Sequence, residues 1–397
     1  MPRMTIEERL RLRAAENARV GLQRDSAALQ GAAAGPLVRL GEHHCISFVG
    51  NDSLGLASEP VWRAVVARCF ALHAPSGRAS RLAGGRSPLA DEAEQAFADY
   101  FGFAECLFFP SGYQANLAAV TALLPRGHDA FVDRRVHASV ARALPLAGAH
   151  IHAAPHNDIP RLRRRLASLP AEAPQPIIVS ETLFSMDGDS PDIPALAALC
   201  RDYDAFLLLD EAHALGAWGP GGRGLACCDG CGGPPSAHAV VGTLGKALGF
   251  WGAFLLLPRG FRSLVEENAS AVMHSTTLPE AHAAACLALI RRLPGHEDKR
   301  ERLHANCALF RRLLHERNIP ARGQAHIVAV PVGNENAALR LARNLRDAGI
   351  LVLAARYPTV PSNDALLRFS VTALHTRQML RITADTLARL FSEGRYY

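Results

Sequence analysis

Lysine is almost absent from this sequence: Lys246 and Lys299 are the only two, and every other position of fixed positive charge is arginine. Aromatic residues make up 6% of the chain, too few for the stacked platforms that hold single-stranded nucleic acid. No apolar run reaches the roughly 20 residues that span a bilayer, and residues 1–24 are charged with no apolar signal core. The nine cysteines follow no regular framework. Cys227, Cys228 and Cys231 lie close together, but no second pair or histidine follows at zinc-ligand spacing, so no metal is expected. Free thiols suit a reducing compartment, which makes the cytoplasm the expected location.

What is present is an ordinary globular composition. Over 397 residues, 49% are hydrophobic and 20% charged, with a net charge of +6. That length suits one large α/β domain plus a smaller one. The arginines are scattered. The densest group, Arg161, Arg163, Arg164 and Arg165, reads as the solvated face of one helix, so neither nucleic acid nor membrane is an expected partner. A basic surface would attract an anionic substrate such as a coenzyme A thioester.

Residues 5–30 read as an amphipathic helix within an N-terminal segment, 1–45. From about 46 to 285 the pattern alternates. Short apolar runs, among them Cys106-Leu107-Phe108-Phe109, Ala130-Phe131-Val132, Ile177-Ile178-Val179, Phe206-Leu207-Leu208-Leu209 and Ala239-Val240-Val241, are separated mostly by helical stretches. This predicts a mostly parallel sheet covered by helices on both faces. Residues 286–397 predict a smaller α+β domain, with helices near 300–317 and 335–348. In such sheets ligands bind beyond the carboxyl ends of the strands. Ser111, Asp133, Asp210 and Thr243 each follow an apolar run and so belong there.

Lys246 lies in Gly242-Thr243-Leu244-Gly245-Lys246-Ala247-Leu248-Gly249, a glycine-rich stretch with no other charge. Lys299 lies in the polar run His296-Glu297-Asp298-Lys299-Arg300 and reads as exposed helix. A desolvated lysine has a lowered pKa and becomes a usable amine nucleophile, which arginine cannot be. Asp210, in Leu209-Asp210-Glu211-Ala212-His213, is either a helix N-cap or a carboxylate for a cofactor's pyridinium nitrogen, with His213 three residues on. Pro110-Ser111-Gly112-Tyr113 is either an ordinary serine-capped turn or a phosphate site at a helix N-terminus. Thr243 and Ser275-Thr276-Thr277 supply further hydroxyls. His137 is either a satisfied structural histidine or a ring stacked on a flat cofactor. Arg368, inside Leu366-Leu367-Arg368-Phe369, is an inward charge on an edge strand, half of an ion pair, or a bidentate clamp for a substrate carboxylate.

In order along the chain, these pieces resemble the α-oxoamine synthases, fold-type I enzymes that depend on pyridoxal 5'-phosphate (PLP) and are related to aminotransferases. The resemblance covers roughly residues 45–380. It rests on Asn51-Asp52-Ser53-Leu54-Gly55-Leu56, Ser80-Arg81-Leu82, Ser111-Gly112-Tyr113-Gln114-Ala115-Asn116, His137-Ala138-Ser139, Phe184-Ser185-Met186-Asp187-Gly188-Asp189, Asp210-Glu211-Ala212-His213, the Lys246 stretch and Tyr357-Pro358-Thr359-Val360-Pro361.

The resemblance implies that Lys246 carries PLP as a Schiff base and moves protons at the substrate α-carbon. Asp210 would pair with the pyridinium nitrogen, His213 with the phenolic oxygen, and His137 would stack on the ring. Ser111, Gly112, Tyr113, Thr243 and, from a second subunit, Ser275 or Thr276 would hold the phosphate; Ser185 would line the cofactor. Asn51 and Arg368 would bind substrate. It implies a homodimer that condenses an amino acid with an acyl thioester, on coenzyme A or an acyl-carrier protein, with loss of CO2. The branch joining L-alanine to a pimeloyl thioester in biotin synthesis fits best; a glycine-acylating branch, another acyl donor and an aminotransferase are the alternatives. The sequence departs from the pattern at Ser53, where a tyrosine is usual, at Ala90, where a histidine is usual, at Phe250-Trp251, where small residues are usual, and at Ala365, where a further arginine is common.

Overall fold

In the computed structural model, residues 4–20, 22, 28–30, 35–227 and 236–394 are described; Cys228 and Cys231 lie outside them. In chain order the strands are β1 (Leu37–Leu40), β2 (His43–Ser47), β3 (Glu105–Phe109), β4 (Asp129–Asp133), β5 (His150–Ala154), β6 (Ile177–Glu181) and β7 (Phe206–Asp210). They continue with β8 (Ala239–Thr243), β9 (Ala253–Leu257), β10 (Ile327–Gly333), β11 (Ile350–Leu351), β12 (Leu353–Ala355) and β13 (Ala365–Ser370). Two units form: Asn51–Ser185 with Asp189–Leu303, and Met1–Gly50 with Met186–Gly188 and His304–Tyr397.

The first unit holds a seven-stranded sheet in the order β3-β9-β8-β7-β6-β4-β5. From β8 to β5 the neighbours are parallel, while β9 runs antiparallel to both β8 and β3. Every residue of β6 to β9 is buried, as expected for strands covered on both faces. Side chains alternate between two apolar layers. Ile178, Leu207, Leu209 and Val240 face the layer built with Phe97, Phe101 and Ile290; Ile177, Val179, Leu208 and Val241 face the layer built with Ala118, Val120 and Val265. The polar strand β5, at the sheet edge, carries no apolar alternation in His150-Ile151-His152 and escapes the sequence pattern.

In the second unit β13 lies between β10 and β12, antiparallel to both. All six of its residues are buried, so Arg368 sits in a central strand, and the edge-strand reading is wrong. β2 pairs with β1 and, in parallel, with β11. That last pairing joins positions some three hundred residues apart, which a local pattern cannot mark. In this unit's core Phe48 stacks on Phe310 and on His375 and meets Phe369 edge-on. The N-terminal helix covers Ile6–Arg19 with a Thr5–Glu8 capping box, not 5–30. It stops two residues before Gly21, a residue that costs about 1 kcal/mol inside a helix, and Gln30 is already bridged to Arg39 as extended chain. Lys299 is a second correction: its side chain is 16% exposed and its amine lies 3.9 Å from Glu59.

Candidate active site

The carboxyl ends of β4, β6, β7 and β8 deliver the charged groups, and the helix Gly112–Leu123 closes over them. Ser111 starts that helix. Its extended backbone and its Oγ, which accepts the Gln114 N–H at 3.3 Å, make it the N-cap. The first amides of the helix have no carbonyl one turn back, so they remain available to an anion. A Cβ on Gly112 would lie 3.9 Å from Thr243 Oγ1, within van der Waals contact, so the helix start faces the end of β8. Thr243 Oγ1 donates to the Gly252 carbonyl and accepts the Gly245 N–H, at 3.1 and 3.2 Å. Gln114 Nε2 donates to Ser275 Oγ at 3.3 Å, which brings Ser275 to the same turn within one chain. Thr276 is exposed and Tyr113 is 48% exposed.

Asp210 ends β7 and is buried, but it does not cap a helix. Its Oδ1 accepts the Ala212 N–H at 2.8 Å, and its Oδ2 accepts from Asn116 Nδ2 at 2.7 Å. The same Asn116 amide donates to Ser139 Oγ at 2.9 Å. Ser139 in turn pairs with His137 Nδ1 at 2.7 Å, and the Ser139 N–H donates to that nitrogen. One asparagine thus links the carboxylate to the histidine. His213 is buried in the turn after Asp210, and Lys246 is half-buried in the turn after β8.

Electrostatics tie these groups together. Loss of water around the ring lowers the His137 pKa; the Asp210 charge opposes this and the Lys246 charge adds to it. Glu181 ends β6 beside Asp210, in register with it. Burial first, then the Asp210 charge, push its carboxyl well above the usual range against the pull of Lys246. Glu181 also accepts the His137 backbone N–H. Lys246 and Asp210 therefore act on the same two neighbours. Ser185 is half-buried four residues beyond β6, and Asn51 is half-buried at the start of the first unit. Arg368 lies in the second unit, 3% exposed, with Nη1 donating to Ser370 Oγ at 2.7 Å; burial lowers its pKa to about 10.

Asn116, Ser139 and Glu181 carry no role in the sequence reading. Glu181 had a signal: it closes an apolar run with a carboxylate, as Asp133 and Asp210 do. Asn116 had none, because its partner is fixed by the docking of a helix on a sheet.

The residues suit a flat, phosphate-bearing aldehyde such as PLP: an amine to bond it, a carboxylate accepting on both oxygens for a ring nitrogen, and a helix N-terminus for a dianion. A family model for aminotransferase class I and II matches residues 45–387.

The chain belongs to the aminotransferase class I and II family.

Among its relatives, an 8-amino-7-oxononanoate synthase of Methylobacillus flagellatus is 35% identical, covering 95% of this chain and 94% of the relative. A serine palmitoyltransferase from S. paucimobilis, solved with PLP and myriocin, superposes with a TM-score of 0.89 at 26% identity, over 99% of this chain and 100% of that one. An 8-amino-7-oxononanoate synthase structure from Francisella tularensis gives 0.75 at 25% identity, over 88% and 98%. The mixed, mostly parallel sheet with its helices is the fold-type I architecture of PLP-dependent enzymes, as the sequence led us to expect.

Proposed function

We propose that this chain is a PLP-dependent α-oxoamine synthase that condenses L-alanine with a pimeloyl thioester, as an 8-amino-7-oxononanoate synthase of biotin synthesis does. The observation that carries the reading is the hydrogen-bonded run from the Asp210 carboxylate, on the strand next to the one that leads into Lys246, through Asn116 and Ser139 to His137. Relatives of that name at 35% identity over nearly the whole chain support it.

When bound, PLP supplies an electron sink that lets a proton leave an amino acid's α-carbon. Lys246 is the covalent anchor and the base that takes that proton and later returns it. Asp210, fixed by Asn116 and the Ala212 N–H, would pair with the pyridine nitrogen and keep it protonated. His213 would bond the phenolic oxygen, and His137 would cover one face of the ring, with Ser185 lining it. The N–H groups of Gly112 and Tyr113 with the hydroxyls of Ser111 and Thr243 would hold the phosphate, joined by Ser275, which meets Gln114 within one chain, or by the partner's Thr276 across a homodimer. Asn51 and Arg368 bind the amino acid, Arg368 through its carboxylate. The new carbon–carbon bond forms as the thiol leaves, CO2 is lost, and an α-aminoketone results.

Among the described residues no helix is long and apolar enough to cross a membrane, and seven cysteines are free thiols. A cytoplasmic enzyme fits both.

A second reading, with a different acyl donor, is favoured by one observation. Phe250 and Trp251, the bulky departures after Lys246, line an open apolar groove of about 470 Å3 with Trp62, Val66 and Phe70. The deciding experiment offers alanine, glycine and serine in turn with pimeloyl, acetyl and palmitoyl thioesters and measures CO2 and free thiol. Alanine with pimeloyl thioester is expected to turn over fastest. Product from another pair alone would replace the biotin reading. Conversion of the cofactor to its amine form by alanine without any thioester would make the enzyme an aminotransferase.

A further inference from the structure

A cluster of titratable groups lies where β4, β5 and β6 end, and the reaction above does not use it. His156, two residues past β5, has a carboxylate at each ring nitrogen: Asp133 Oδ1 at 2.9 Å from Nδ1, and Asp189 Oδ2 at 2.8 Å from Nε2. An imidazole donates at both nitrogens only when it carries two protons. The Phe184 ring stands edge-on to it, 4.4 Å between centroids. Asn157 adopts a left-handed φ of 51°, a conformation asparagine tolerates better than most residues. From there its N–H donates to Asp133 Oδ2 at 3.2 Å and its amide to Asp189 Oδ2 at 2.7 Å.

Each carboxylate belongs to a loop with a site residue on it. Asp133 ends β4, accepts the Arg135 N–H at 2.8 Å, and opens the loop that reaches His137. Asp189 closes the loop that starts at Phe184, through a 2.9 Å bond from the Phe184 N–H to its own carbonyl, and Ser185 lies inside that loop. Asp189 Oδ1 is buried without a hydrogen-bond partner, so this carboxylate depends on the contacts to Oδ2.

We propose that His156 is a positioning residue: by bridging Asp133 and Asp189 it ties the loop bearing His137 to the loop bearing Ser185 and so fixes two walls of the candidate site. That those walls hold a cofactor rests on the function proposed above; the tie itself does not.

The electrostatics agree with the geometry. Burial lowers the His156 pKa, but the bonds to Asp133 and Asp189 and their charges more than offset this and raise it to about 9. Asp189 is pulled below the usual range: burial raises it, and the bond and charge of His156, with Arg135 nearby, outweigh that. The charged groups facing the ring are thus Asp133 from β4 and Asp189 from its own loop, with Arg135 acting on Asp189. A raised histidine pKa lends stability in full below the ordinary value near 6.5. The contribution declines above that and is gone once pH passes about 9.

The test uses the full chain freed of cofactor. Amide hydrogen exchange, corrected for intrinsic rate, is followed in peptides 134–140, 182–190 and, as the core reference, 206–210. In His156→Gln at pH 7.5 the first two peptides should exchange at least about 10-fold faster, as expected from losing one or two charge-assisted hydrogen bonds, with 206–210 unchanged. In the wild type the same two peptides should loosen between pH 7.5 and 9.5, and in His156→Gln they should not loosen further. PLP should bind the variant at least about 10-fold more weakly, with the same loss of pH dependence. His152→Gln, which breaks a comparable histidine–carboxylate pair with Asp129 at 2.6 Å, should behave as wild type. Asp189→Asn repeats the test if the first variant does not fold. Unchanged exchange in both loops, or equal loosening of 206–210, would overturn the proposal. Neither result depends on the reaction, so failure here leaves the attachment at Lys246 standing.

Discussion

Asn116 Nδ2 donates to Asp210 Oδ2 across 2.7 Å, joining the helix that opens the anion cradle to the strand that carries the buried carboxylate. The helix therefore sets both ends of the site at once. Its first turn faces Thr243, and its second fixes Asp210.

Replacing Asn116 by leucine leaves Asp210 buried with one of its two donors gone. A hydrogen bond to a charged group is worth about 1.5–3 kcal/mol, so kcat/KM should fall roughly 10- to 100-fold. Asp210→Asn should fall further, because no carboxylate remains opposite the ring nitrogen. Steady-state kinetics on the two variants, with PLP affinity measured separately, checks this. Equal activity of Asn116→Leu and wild type would remove the amide from the account.

Glu181 should tolerate loss of charge and not loss of its oxygen. Burial and Asp210 hold its carboxyl well above the usual range, which favours the neutral form, and it serves as an acceptor for the His137 N–H. Glu181→Gln should keep activity within about 3-fold, while Glu181→Ala should lose about 10-fold, the scale of one buried hydrogen bond. Matching losses in both variants would mean that the charge matters after all.

The sequence carried the sheet and most of the candidate site because both obey local rules. Runs such as Phe206-Leu207-Leu208-Leu209 declare a doubly covered strand, and the polar residue closing each run declares the end where ligands bind. Lys246 stood out because the chain has so little lysine. What escaped was set by tertiary pairing. Asn116 and Asp210 are far apart in the chain, as are His156 and Asp189. β13 reads like an edge strand until β10 and β12 flank it, and the polar run around Lys299 hides a helix face that meets Glu59.

Arg81 in Ser80-Arg81-Leu82 gains a structural reason. Its guanidinium pairs with Glu94, which is fully buried, at 2.8 Å and with Glu266 at 3.0 Å. Ser80 is bridged to Thr276, so this pair also anchors the segment of candidate phosphate hydroxyls. Arg81→Met leaves the buried Glu94 paired with Arg262 alone, at 3.0 Å, and should cost about 1.5–3 kcal/mol in urea unfolding. Adding Glu94→Leu should restore part of that loss. A double variant no more stable than Arg81→Met would argue against the pair.

Two buried histidines should each make the fold sensitive to acid. Burial lowers His282 to about 4 and His375 to about 4, and both accordingly stay neutral in the native state. A depressed pKa lends stability above the unfolded value, near 6.5, and that stability is lost as pH falls through the folded value. Each histidine accounts for on the order of 3 kcal/mol across that interval. Buried carboxylates raised by burial, Asp52 to about 6 and Glu211 to about 8, act in the opposite direction, so the test is a difference: between pH 6.5 and 4 wild type should lose stability relative to His282→Gln. A difference between the two that stays constant over that range would contradict the burial of this ring.

The most direct measurement is the site of covalent attachment. The cofactor-saturated protein is reduced with borohydride, digested and mapped. The pyridoxyl group should be found on Lys246, and a Lys246→Ala sample should carry none. A label on Lys299, or an unlabelled wild type, would contradict the account.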